Sequence, residues 1–261
     1  MNIVVCLKQV PGTTEVKINP ETNTLVRQGI KNIINPFDTY ALEEGVRLKE
    51  KYGGKVTAIS MGPPQAVDML REAISLGADE SFLLSDGAFA GADTWATAYT
   101  LAGAIRKLGT VDLIICGRQS TDGDTAQVGP EMAEMLGIPF IAYVGQIEDI
   151  IHGEIRLKRM IDEGHEFLQS PLPAVITVTK EINVPRLPSL RGIMKSKSAG
   201  IPVWTVQDLG LDPQKVGSNG SFTRVVKIFT PRRENKAEML QGEADAQVAC
   251  LLDKLKAGKL I

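Results

Sequence analysis

Val111-Asp-Leu-Ile-Ile-Cys116 runs directly into Gly117-Arg-Gln-Ser-Thr-Asp-Gly-Asp-Thr-Ala-Gln-Val-Gly-Pro130. An apolar run rich in branched residues, cut off by a glycine and a polar loop and followed by a helical pattern, is the repeating unit of parallel α/β sheets. A buried strand ending in such a turn aims backbone N–H groups and the positive end of a helix dipole at one spot, which suits a phosphate. Within the loop, Thr121 or Asp124 is expected to cap the helix, and Asp124 with Gln127 has capping-box spacing. Asp122 and Asp124 would repel a pyrophosphate that faced them, so both are assigned to capping and bracing. The anion then falls to main-chain amides, Thr125 and Arg118. Gly123 allows positive φ and close approach of a ligand. A well-capped turn that holds nothing is the plainer alternative.

Outward from this unit the same alternation repeats. Strands are predicted at Ile3 to Leu7, Val56 to Met61, Ser81 to Leu84, Leu113 to Cys116 and Phe140 to Val144. Between them Ala41, Gly45, Leu48 and Tyr52, then Ala66, Leu70, Ala73 and Gly77, then Ala98, Leu101, Ile105 and Leu108 fall at helical spacing. The fold class is therefore α/β, a doubly wound parallel sheet of Rossmann-like type. Ligands of such sheets collect outside the carboxyl ends of the strands, where connections leave in opposite directions. That rule gathers the turn after Leu7, the helix start Asn35-Pro-Phe-Asp38, the turn Met61-Gly-Pro-Pro64 and the loop from Gly117. Asp38 reads most simply as an N-cap, and Pro63 and Pro64 as first-turn prolines. Gly87-Ala-Phe-Ala-Gly-Ala-Asp-Thr-Trp-Ala-Thr97 is a further small-residue loop after the third strand, placed to close on a second part of a long ligand.

Additions surround this frame. Val16, Ile18, Leu25 and Val26 between turn residues predict a hairpin over residues 8–35. Short β-like segments follow at Ile151 to Met160 and Ala174 to Thr179, and Pro185 to Lys197 is rich in Pro, Arg and Lys. A final helix carries the stripe Ala244, Val248, Leu251, Leu252 and Leu255, suited to packing on another surface.

Composition narrows the function classes. With 261 residues, 43% hydrophobic and 23% charged, the chain has an ordinary soluble make-up. A formal charge of −2 argues against a nucleic-acid binder working through a basic surface. Cys6, Cys116 and Cys250 lack metal-ligand spacing and predict reduced thiols. The start of the chain lacks the pattern of a signal peptide, and no segment is long and apolar enough to span a bilayer, so a cytoplasmic location is expected. His152 and His165 stand apart from the loop without a Ser or Cys nucleophile or metal-ligand company, so no metal site and no acid–base constellation is read. Neither a Walker loop nor a Gly-x-Gly-x-x-Gly fingerprint is present, and any redox chemistry must come from a bound cofactor.

The segments Val5-Cys-Leu-Lys-Gln-Val-Pro11, Asn35-Pro36, Met61-Gly-Pro-Pro64, Gly117 to Pro130 and Arg191-Gly-Ile-Met-Lys195 resemble, in the same order, those of the electron transfer flavoprotein β-subunit family. The resemblance covers essentially the whole chain. Arg159-Met-Ile-Asp-Glu-Gly-His-Glu-Phe-Leu168 leading to Pro173-Ala-Val-Ile-Thr177 looks like its signature region, with Leu157 and Glu163 as departures. The resemblance implies an α-subunit partner that carries the electron-transferring FAD, and a second nucleotide held by this chain. Carried over, that nucleotide touches Cys6, Asn35, Pro36, Phe37, Asp38 and Met61, with Gly117, Arg118, Gln119, Ser120, Thr121, Asp122, Gly123, Asp124, Thr125, Ala126, Gln127 and Val128.

In conventional members it is structural AMP. In the electron-bifurcating branch it is FAD, which accepts hydride from NADH and sends one electron to a flavin dehydrogenase, of acyl-CoA or lactate type, and one to ferredoxin or flavodoxin. Gln9 to Glu15, Met61 to Pro64 and Ala88 to Thr97 resemble that branch. They imply a flavin ring near Ala92, Asp93, Thr94 and Thr97, and NAD(H) over Pro11, Thr13, Glu15, Gly62 and Pro63. Leu190, with Arg191 beside it, falls where the family presents a partner-recognition loop, whereas the residue pattern alone favours a buried leucine. The implied domains are residues 1–220, including the recognition segment 185–200, and residues 221–261, an arm and helix on the α subunit. A conventional AMP-bearing carrier and a non-redox nucleotide-binding regulatory module remain the alternatives.

Overall fold

The computed structural model describes residues 1–12, 32–226 and 237–261. They divide into two compact units, Met1–Val226 and Lys227–Ile261. The first unit opens with β1 (Asn2–Cys6), β2 (Gln9–Pro11), β3 (Asn32–Ile34), α1 (Pro36–Tyr52), β4 (Lys55–Met61), α2 (Ala66–Leu76) and β5 (Glu80–Leu84). A 3-10 turn at Gly87–Phe89 leads to α3 (Thr94–Leu108), β6 (Leu113–Gly117), α4 (Val128–Leu136), β7 (Phe140–Ile151), β8 (Glu154–Ile161), β9 (Gly164–Pro171) and β10 (Ala174–Val178). It closes with α5 (Leu190–Ser198), β11 (Val203–Trp204) and the short helices α6 (Val206–Leu209) and α7 (Gly217–Gly220). In the second unit α8 spans Ala244–Ala257.

Nine of the described strands form one sheet in the order β11-β5-β4-β1-β6-β10-β7-β8-β9. The pairs from β11 to β7 are parallel, and β8 and β9 continue the sheet as antiparallel strands. Burial on both faces explains why the central strands read as continuous apolar runs. Along β1, Ile3 and Val5 point to one core with α1 and α2, while Val4 and Cys6 point to a second core with α3 and α4. Each buried Ile or Leu contributes roughly 1.5–3 kcal/mol, so a one-residue slip of this strand would exchange every contact on both faces.

The winding changes direction beside β1. From β1 the chain moves outward to β4 and β5, then returns through α3 to β6 on the other flank of β1, and continues to β7. The connections after β1 and β6 therefore leave in opposite directions. This is the switch point where doubly wound sheets open a crevice at their carboxyl edge.

The predicted hairpin is anchored at its base, where β2 and β3 pair antiparallel with Gln9 opposite Ile34. Its expected apolar residues Val16, Ile18, Leu25 and Val26 lie outside the described residues. One stretch left without a secondary structure in the sequence is helical: Ser189 Oγ accepts from Gly192 N at 3.0 Å and starts α5. Gly192 is needed there because a Cβ would come within 2.2 Å of Ser75 O at the end of α2. No helix among the described residues is long and apolar enough to cross a membrane.

Candidate functional site

The site is built where the ends of β1 and β6 meet the start of α1. Gly117 closes β6, and a Cβ on it would lie 2.3 Å from Asp38 Oδ1 and 2.6 Å from the Phe37 carbonyl carbon. Only glycine lets the first turn of α1 come this close, and that approach carries Asn35 and Asp38 to the loop after β6.

Asn35 is buried and joins three segments. Its Nδ2 donates to Asp38 Oδ1 at 2.9 Å and to the Gln119 carbonyl at 2.8 Å, and its Oδ1 accepts from Thr121 N at 3.1 Å. Asp38 Oδ2 in turn accepts from Lys8 N at 2.7 Å. Asp38 is thus not the N-cap expected from sequence. Asn35 holds that position without a side-chain cap, and Asp38 turns its carboxylate inward to the β1 end. Burial pushes the Asp38 carboxyl up to about 7, against the lowering effect of Asn35 and of the Lys8 and Gly117 amides.

The loop itself differs from its predicted capping. Left-handed backbone falls on Asp124 and Ala126, with φ of 56° and 55°, and not on Gly123. These turns keep the segment irregular up to Gln127, so α4 begins only at Val128 with no side-chain cap. Neither Thr121 nor Asp124 caps it. Asp124 instead accepts from the Gln119 side-chain amide, and Asp122 Oδ1 accepts from Lys8 Nζ at 2.7 Å. Both acids are braces, as the repulsion argument requires. Burial opposes it, yet Lys8 holds Asp122 below the usual carboxylate range. At Gly123 a Cβ would meet only Ser120 Oγ at 3.5 Å and Lys8 Nζ at 3.8 Å. Its contribution is space, not φ.

With both acids engaged and Gln127 not capping, the amides of Val128 and Gly129 are the first-turn donors of α4 left for an anion, because a helix supplies no acceptors for its first N–H groups, Pro130 carries no N–H and Glu131 N donates to Gln127 O at 3.1 Å. Thr125 lies in this same exposed turn. Cys6 and Cys116 are buried register partners at the ends of β1 and β6, both free. A hydrogen bond with Cys6, together with burial, pushes the Cys116 thiol up. Met61 ends β4 half-buried beside them.

Arg118 Nε donates to Gln119 Oε1 at 2.8 Å, so Arg118 is tied to the same side chain that holds Asp124. Its guanidinium lies 5.9 Å from the Phe37 ring centroid and 5.3 Å from that of Tyr143, on a cleft of about 660 Å³ that also reaches Arg159 and Lys180. Pro36 is the first residue of α1.

The second loop lies at the head of α3. Asp93 caps that helix by accepting from Ala96 N at 3.0 Å, and its other oxygen accepts from Phe222 N at 2.8 Å and Thr223 N at 3.0 Å. Burial works against it, but these amides hold Asp93 below the usual range. Its carboxylate is committed to the fold. Ser221 Oγ accepts from Asp93 N at 2.8 Å, so residues 221–223 brace the loop from far along the chain. Thr94 Oγ1 donates to Glu131 Oε1 at 3.0 Å and so ties the start of α3 to the first turn of α4. Ala92 and Thr97 are half-buried around it. Sequence reasoning missed Lys8, Glu131 and Ser221; only Lys8 stood within a quoted motif, and the other two carry no local signal.

Of the residues expected at a nicotinamide nucleotide, Pro11 ends β2 and Gly62-Pro63 follows β4, where Gly62 N donates to Leu84 O at 3.0 Å. Thr13 and Glu15 lie outside the described residues.

Leu190 and Arg191 are exposed at the start of α5, Leu190 at 83%, which removes the expectation of a buried leucine. The basic residues around it are less free than the sequence suggested. Arg186 is paired with Glu43 at 2.8 Å and Glu50 at 2.6 Å, and Lys195 Nζ donates to the Ala78 and Asp79 carbonyls.

Residues 22–209 match the family model of the electron transfer flavoprotein domain. The electron transfer flavoprotein subunit beta of Thermoanaerobacterium thermosaccharolyticum is 48% identical, with 100% of both chains covered. The caffeyl-CoA reductase-Etf complex subunit CarD of Acetobacterium woodii is 46% identical, again over 100% of both chains. Protein FixA of Azorhizobium caulinodans is 42% identical over 95% of this chain and 93% of its own.

Proposed function

This chain belongs to the electron transfer flavoprotein family as a β subunit, the electron-transfer partner of an α subunit, and from that premise we propose that its β1–β6 edge holds FAD rather than AMP. The observation that carries this reading is the tie between Thr94 and Glu131, which sets the small-residue loop at the head of α3 beside the nucleotide loop. A mononucleotide is served by one of these loops; a dinucleotide needs both. When bound, FAD supplies the capacity to take two electrons from NADH and release them singly to different acceptors.

The chain's own residues bind and orient. Amides between Ser120 and Val128, other than those of Thr121 and Asp124, take the phosphates, Asn35 and Asp38 lock that loop against the end of β1, and Lys8 neutralises the Asp122 charge next to it. Ala92, Thr94 and Thr97 leave room for a flat ring, and NADH approaches over Pro11 and Gly62-Pro63. Leu190 docks a flavin dehydrogenase. The relative named for a caffeyl-CoA reductase complex supports an acyl-CoA substrate for that acceptor, with a lactate-type enzyme as the other candidate. The second electron goes to ferredoxin or flavodoxin, and the pair works in the cytoplasm.

The test is a flavin count. Denaturing the purified αβ pair is expected to release two flavins and no AMP. One flavin with one AMP would instead assign a conventional carrier.

A further inference from the structure

Glu131 is not used by the reading above except through one of its oxygens. It lies in the first turn of α4, where Oε1 accepts from Thr94 Oγ1 at 3.0 Å. Its Oε2 is buried and has no hydrogen-bond partner. Buried carboxylate oxygens are almost always satisfied, so an orphan between the head of α3 and the first turn of α4 points to a donor that arrives with a ligand. Burial, offset by the Thr94 hydroxyl, and the neighbouring Asp93 carboxylate raise the Glu131 pKa. Two adjacent acids repel a phosphate. What suits this place is a neutral hydroxyl.

The position narrows the donor further. Glu131 stands between the loop assigned to the pyrophosphate and the head of α3 assigned to the ring. The part of FAD that spans those two is its polyol chain. We infer that Glu131 Oε2 accepts a hydrogen bond from a hydroxyl of the polyol chain of a bound flavin dinucleotide, and that this contact favours FAD over AMP at the site. The inference rests on the flavin reading proposed above.

Binding of FAD and of AMP to the αβ pair, stripped of its β-site nucleotide and with the α site filled, tests it by calorimetric titration. Glu131→Leu is expected to weaken FAD by about tenfold while AMP affinity stays unchanged, the size of one hydrogen bond. Glu131→Gln keeps an acceptor oxygen and is expected to stay within about threefold of wild type for FAD. Should Glu131→Leu fail to assemble, Glu131→Ala, which only removes atoms, carries the same expectations. Unchanged FAD affinity in the Leu or Ala variant overturns the assignment, and so does an equal loss for AMP, or a loss in Glu131→Gln as large as in Leu. A wild-type pair that binds AMP but not FAD overturns the flavin reading itself.

Discussion

At Asp38 a single buried carboxyl couples the fold to pH. Its folded pKa is raised to about 7, whereas an unfolded aspartate titrates near ~3.9. The folded chain therefore keeps a proton that the unfolded chain gives up. The stabilising contribution of this group is full below the unfolded value and is lost as pH rises through the folded one. Urea unfolding is thus expected to show wild-type stability falling between about pH 4 and pH 7, and Asp38→Asn should flatten that slope. Parallel slopes in the two proteins would refute it. Asp38 was legible in the sequence as a helix-start residue, but its role was not. Its partner Lys8 stands between β1 and β2 and Gly117 at the end of β6, and no spacing rule connects them.

At the scale of elements, α5 and the strap before it show how adjacent residues come to differ. Glu43 on α1 is buried and held by two guanidiniums, Arg186 at Oε2 from the segment before α5 and Arg47 at Oε1 from its own helix, both at 2.8 Å, so removing Arg186 leaves the buried charge with one partner instead of two. Arg186→Ala is expected to cost less than the ~3–5 kcal/mol of a broken buried pair, because Arg47 still holds Glu43 and Arg186 itself stays partly exposed. Urea unfolding measures this. Leu190 is exposed, and Leu190→Ala should leave stability within about 0.5 kcal/mol. As an anchor it would nevertheless take about 2 kcal/mol or more from docking, and electron delivery to the dehydrogenase would fall while NADH-dependent flavin reduction stays. Normal delivery by Leu190→Ala would end the anchor reading. The helix itself was masked in the sequence by Pro185, Pro188 and the basic residues. The loop after β6 shows the reverse: Asp124 and Gln127 had capping-box spacing, but left-handed turns at Asp124 and Ala126 delay α4.

On the scale of the whole molecule, α8 forms in the second unit with Val248, Leu251 and Leu252 exposed, an apolar stripe of the kind that another surface covers. Truncation after Gly242 is expected to abolish co-purification with the α subunit while shifting the melting temperature of the first unit only slightly. An intact heterodimer after truncation would refute this. The amino-acid sequence by itself determined the central parallel strands, the first helices and the doubly wound class, because burial on both faces writes a strand as a continuous apolar run and burial on one face writes a helix at a period of 3.6. It also placed the strand-to-helix loop after β6, since a glycine closing an apolar strand is a local signal. The tertiary structure alone decided which polar groups meet: Asn35 with Thr121, Asp93 with Phe222 and Thr94 with Glu131. Those pairs are set by strand order and helix approach, and a hydrogen bond requires its two atoms within about 3 Å whatever their distance along the chain.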